Sequence, residues 1–263
     1  MSVSASVQAP NRAIDAAADS GWGSLYRMGG LAALVAVLVS LLEIVISFAG
    51  GDAGAGGTLT AAGWFGLLQD NGFLGLRNLG LFNIIGMALA VPTYLALYGA
   101  HRRANRAQAA LAAILLFMGA AIYIANNKAL AMLALSGQYA AATTEAQRSL
   151  YAAAGQAMLA QAEDFAPGAF MGFLFPTLAS ILMGTVLLRG RVFGRWTAWA
   201  AILGPGFLLV FTICATLVPA LFAAVMILAL IGGLLSMAAN ILIALRLFQL
   251  GRFESEATAH GQG

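Results

Sequence analysis

Polar positions are so sparse along this chain that they divide it into six long apolar runs, at residues 28–49, 79–99, 107–134, 169–188, 196–217 and 221–247. Each run is close to or longer than the roughly 20 residues that a helix needs to cross a bilayer. The first also exceeds the core of a signal peptide, which predicts a retained span. The expected fold is all-α: a polytopic membrane helix bundle with about six transmembrane helices, forming one membrane domain over residues 27–250. Pro92, Pro176 and Pro205 fall inside three of the runs. Membrane helices tolerate proline because neighbouring helices take up the carbonyl that it frees.

The polar stretches between the runs differ in kind. Residues 1–26 hold too little apolar surface to offset the entropy of ordering, which predicts a disordered tail with at most a short helix near Ile14, and residues 251–263 read the same way. Residues 50–57 are glycine-rich around Asp52. Without a preceding strand or a following Gly-Lys-Ser/Thr, a flexible linker is favoured there over a phosphate loop. Trp64, Phe65, Leu67 and Leu68 then predict a short interfacial helix within 58–71. In the polar segment 136–167, Thr144 and Gln147 stand at capping-box spacing, and Leu150, Tyr151, Ala154 and Met158 line one side of an expected amphipathic helix over 144–164. Glu163, Asp164 and Pro167 end it. It belongs outside the membrane core, on the extracytoplasmic side.

Composition agrees with a lipid-solvated chain: 61% of residues are hydrophobic and 9% charged, with a mean hydropathy of +0.88, too little polar surface to cover a soluble globule. The net charge of +3 would suit a nucleic-acid partner. The arginines, however, sit in small groups between apolar runs instead of forming a basic face, which argues for no nucleic acid. They report orientation. Arg102, Arg103 and Arg106 share one turn, Arg189, Arg191 and Arg195 another, and Arg12, Arg27, Arg246 and Arg252 flank the termini. The positive-inside rule places all of these, and both termini, in the cytoplasm. Asp52, Asp70, Glu145, Glu163 and Asp164 collect on the other side, with Arg77 and Arg148. The two arginine-turned hairpins look alike, either through internal duplication or because the charge rule acts on both.

Depth makes a candidate site of the scattered intramembrane polar residues. Glu43 lies late in an outward span, Asn83 early in an inward one, and Asn126, Asn127 and Lys128 late in the next outward one, so all five belong to the outer half. Ser40, Glu43 and Ser47 share one helix face, expected to point into the protein. Lys128 is the only lysine of the chain. A lone charge in hydrocarbon costs roughly 2.5–3.5 kcal/mol on insertion scales, so Glu43 and Lys128 are expected to be neighbours. A polar pocket, a purely structural salt bridge, and a Lys128 that snorkels to the interface all stay open. Other chemistry is sparse. Cys214 has no partner for a disulfide, and His101 and His260 have no companions at ligand spacing, so neither metal nor cofactor is expected. No intramembrane hydrolase motif occurs.

The segments NLGLFNIIGMALAVPTYLALYGAHRR, TTEAQRSLYAAAGQAMLAQ and LLRGRVFGRWTAWAAILG resemble the bacterial integral-membrane proteins grouped as domain of unknown function 4386, over residues 27–252. The resemblance implies a multi-pass protein of the bacterial inner membrane and lends no catalytic residue. Two classes of function stand. One is a non-enzymatic membrane protein whose polar outer-leaflet pocket, beneath the helix at 144–164, binds a small or lipidic ligand or a partner helix. The other is a small-solute or proton-coupled transporter, in which the three prolines supply bending helices.

Overall fold

The computed structural model describes residues 8–49, 59–162, 164 and 167–260. All regular structure among them is helical: α1 (Gln8–Ala49), α2 (Ala61–Asp70), α3 (Gly72–Asn78), α4 (Leu81–His101), α5 (Arg106–Asn126), α6 (Ala129–Ala141), α7 (Glu145–Ala162), α8 (Phe170–Gly190), α9 (Arg195–Leu217) and α10 (Phe222–His260). Single 3-10 turns occupy Pro167–Ala169 and Pro219–Leu221. Six segments are long and apolar enough to cross a membrane: Trp22–Ser47, Leu81–His101, Arg106–Ala141, Pro167–Gly190, Arg195–Leu217 and Pro219–Arg252. This is a multi-pass membrane protein. Asp52 with its glycine-rich linker, Glu163, and both chain ends at 1–7 and 261–263 lie outside the described residues.

The six long helices form a ring in chain order, α1 beside α4, then α5, α8, α9 and α10, with α10 returning to α1. Leu31, Leu38, Leu111, Ile114, Val210 and Leu234 are exposed on its outside, as lipid solvation requires. Small residues set the close crossings. A Cβ on Gly232 would stand 2.8 Å from the Gly204 carbonyl, so α9 and α10 meet backbone to backbone. On α5, Gly119 makes room for the Pro176 ring of α8.

The arginine-rich turns stand at one end of this ring, where Trp22, Tyr26 and Tyr98 pack together and the Arg102 guanidinium lies 4.3 Å from the Trp22 ring centre. His101 is fully buried there. Its Nδ1–H donates to the Leu97 carbonyl at 2.9 Å and its ring stacks on Phe193, while Nε2 has no partner. At the opposite end, α2, α6 and α7 pack on one another around Trp64, Phe65, Leu68, Met132 and Leu159, forming a cap with its own core.

Several expectations need correction. Helix α1 begins at Gln8 instead of following a disordered tail through 26, because Trp22, Leu25 and Tyr26 join the core against α4 and α10. Helix α10 likewise continues to His260, through most of the expected tail at 251–263. The run 107–134 is two helices. Asn127 adopts an extended backbone, and its side-chain oxygen accepts from the Ala129 N–H at 2.9 Å, which ends α5 and starts α6. An asparagine side chain competes in this way with helical backbone bonds. The 21 residues of α5 already reach about 31 Å, enough to cross, and α6 turns away into the cap. The short helix expected within 58–71 exists as α2, but Trp64 is only 1% exposed and sits in the cap core, not at a lipid interface. The capping-box pair does start α7, with the Gln147 N–H donating to Thr144 Oγ1 at 3.3 Å. The face that α7 buries carries Tyr151, Gly155, Met158 and Leu159, whereas Leu150 is 66% exposed.

Candidate functional site

Because the six helices surround a centre that no seventh helix fills, the ring leaves a partly open cavity of about 310 Å³. Every ring helix contributes to its wall. Along α4 the lining residues Asn83, Met87, Ala90, Tyr94 and Leu97 recur at steps of three and four, one stripe of a helix that also takes in Gly86. A Cβ on Gly86 would meet nothing within 4 Å. The bent helices α8 and α9 present Pro176 and Pro205 to the same space. Polar groups occur at several depths, from Glu43 and Asn83 near the cap to Tyr94, Ser180, Ser236 and Asn240 further in.

At the cap end of the cavity a hydrogen-bonded node ties three elements together. Asp164, in the connection between α7 and α8, accepts from Asn83 Nδ2 of α4 at 2.6 Å and from the Tyr123 hydroxyl of α5 at 2.8 Å. Asn127 Nδ2 donates to the Leu79 carbonyl at 2.8 Å. Gly80 makes this approach possible: its φ of 88° is left-handed, and a side chain there would run into Tyr123 and Asn127. Burial pushes the Asp164 carboxyl up to about 6, against the two hydrogen bonds that hold it down, and the nearby Glu43 charge raises it further.

Beside the node, Arg77 of α3 is buried. Its guanidinium donates to the Glu43 main-chain oxygen at 3.0 Å, to Asn78 Oδ1 at 2.6 Å and to the Ser47 hydroxyl, while Nε has no partner. Glu43 therefore has Arg77 as its cationic neighbour. Among the described residues no ion pair joins Glu43 to Lys128, and that expectation is overturned. Lys128 is instead the half-exposed residue that precedes α6 at the helix break. Asn126 ends α5 next to the break, without a side-chain hydrogen bond among the described residues. The structure thus gathers Asn83 and Asn127 at the node and lines the cavity with Glu43 and Asn83, leaving Asn126 and Lys128 aside. It adds Arg77, Tyr123, Asp164, Ser236 and Asn240. Of these, Tyr123 carried a usable signal, standing four residues before Asn127 and so on its helix face. Among the described residues, no three histidine, cysteine, aspartate or glutamate side chains come together as a metal would need.

The family model described as Domain of unknown function (DUF4386) matches residues 67–247, more than half of the chain. The protein belongs to the DUF4386 family. No curated protein and no solved structure matches it. The part shared with the DUF4386 family runs from α2 into α10 and includes five of the six ring helices, the node and most of the cavity wall; α1, with Ser40 and Glu43, precedes it.

Proposed function

We propose that this DUF4386 protein is a non-enzymatic ligand-binding protein of the bacterial inner membrane, with both termini in the cytoplasm, whose ring cavity holds a small or lipidic molecule. The observation that carries this reading is the cavity itself. Its volume of about 310 Å³ falls in the range of small-molecule sites, and its mostly apolar wall with a few polar groups is what such sites have. The orientation is supported by the arginine-rich turns at the end of the ring away from the cap. Native mass spectrometry of protein extracted from membranes is expected to find a bound small molecule that is absent from Gly86→Phe, whose new ring would occupy the cavity. Identical bound masses on both proteins would overturn the reading. Transport is the second reading, favoured by one observation: Pro176 and Pro205, which interrupt the hydrogen bonding of α8 and α9, both line the cavity.

A further inference from the structure

The polar groups on the cavity wall fall into two classes. Ser40, Thr93, Thr177 and Ser180 donate to carbonyls of their own helices, and the Tyr94 hydroxyl pairs with Ser180 Oγ at 2.8 Å. Those hydroxyls are satisfied within the protein. The Glu43 carboxylate and the Asn240 amide, by contrast, have no hydrogen-bond partner among the described residues, and Ser236 Oγ is buried without one.

Charge sharpens the distinction. Two carboxylates, Glu43 and Asp164, stand near each other at the cap end, and the buried cation beside them is Arg77. Asp164 already takes hydrogen bonds from Tyr123 and Asn83. Arg77 directs its donors to the main-chain oxygen of Glu43, to Ser47 and to Asn78, not to the Glu43 carboxylate. Among the described residues, the cap end therefore holds one carboxylate without a direct partner.

Below Glu43 the wall is mostly apolar, with Ala36, Gly86, Met87, Ala90, Leu116 and Met183, and its unpartnered polar groups there, Ser236 and Asn240, are uncharged. The lining stripe of α4 from Phe82 to Leu97 corresponds to about 22 Å of helix. A volume of about 310 Å³ spread over such a length suits one extended chain, not a globular or two-chain ligand. We propose that the cavity is selective for a single-chain amphiphile with a protonated amine head, the head lying at Glu43 and the chain running along α4. This rests on the cavity being a ligand site and adds the chemical class of the ligand: a cation donating to an otherwise unpartnered carboxylate at the head of a mostly apolar channel.

Three photoactivatable dodecyl probes that carry a chain diazirine and end in a primary amine, an alcohol or a carboxylate test it. Each is photolysed with full-length protein in zwitterionic lipid nanodiscs, and the adducts are mapped by peptide mass spectrometry. The amine is expected to label the cavity-lining peptides of α4 and α8 about 10-fold more than the other two, the worth of one charged hydrogen bond out of water. Glu43→Gln should abolish the preference, and Gly86→Phe should remove labelling by all three. If the alcohol or the carboxylate labels wild-type protein as well as the amine does, the head-group inference fails while the cavity stands as a ligand site. If no probe labels these peptides above the Gly86→Phe background, both readings fail. The comparison of heads on wild-type protein decides the matter even if a variant does not fold.

Discussion

Where Trp22, Tyr26, Leu97, Tyr98 and Leu247 meet, the six-helix ring is filled by rigid side chains in contact; at its other end Asn83, Tyr123 and Asp164 hold α4, α5 and the α7–α8 connection by directed hydrogen bonds. The task is the same at both ends, closing a ring of helices around a cavity. The two solutions fail differently. Close packing tolerates a change of solvent but not of volume. A hydrogen-bonded closure tolerates small changes of volume but not a lost partner or an altered charge. The cavity thus has a floor defined by shape and a roof defined by chemistry.

The largest effect is expected where volume is added to the floor. A Cβ on Gly99 would fall on the ring carbons of Trp22, which Tyr26, Tyr98 and the Arg102 guanidinium already hold in place. Gly99→Ala should therefore cost about 3 kcal/mol, the upper part of the range for overpacking, read as a lower unfolding temperature in detergent. Unchanged stability would mean that this end is not closed by packing.

The contrast between floor and roof was only partly legible in the sequence, and residue by residue the reasons are physical. Apolar runs long enough to cross a bilayer reveal spans whatever their neighbours, so six were countable from hydropathy. The early start of α1 was not, because Trp22 is held by Gly99, Tyr98 and Arg102, which are distant in sequence. The break at Asn127 stood inside a run long enough to read as one span, with Asn126, Asn127 and Lys128 as its polar interruption, and hydropathy carries no trace of a side chain taking over a backbone N–H. In the site, Asn83 and Asn127 stood out as polar groups in hydrocarbon. Asp164 resembled the solvated end of an amphipathic helix, and Arg77 a solvated charge, until the fold tied the first to Asn83 and Tyr123 and buried the second beside Glu43. Shared depth and opposite sign suggested pairing Glu43 with Lys128, and neither holds information about which helix faces lie side by side.

A smaller effect is expected from the charge of the roof. The Asp164 carboxyl, ordinarily near 3.8, is pushed up to about 6 by burial, so the folded protein holds this proton more tightly than the unfolded chain. The resulting stabilisation is complete below about pH 4 and is lost as the pH rises through about 6. Relative to Asp164→Asn, which keeps a neutral group of the same shape, wild-type protein should lose roughly 2 kcal/mol of stability between pH 4 and pH 7. Unfolding midpoints of the two proteins measured across that interval check it. A difference that stays flat with pH would remove Asp164 from the closure.

The smallest effect has the opposite sign and sets the two closures against the space between them. Gly86 lies on α4 as Gly99 does, but a Cβ there meets nothing within 4 Å, since it faces the cavity. Replacing a mid-helix glycine by alanine restricts the unfolded chain and favours the helix by about 0.5–1 kcal/mol. With no neighbour to displace, Gly86→Ala should therefore raise the unfolding temperature slightly, while the same change at Gly99 lowers it markedly. A loss of stability at Gly86 comparable to that at Gly99 would mean that the ring has closed in on itself, and the shape-defined floor would then extend along all of α4 with no cavity above it.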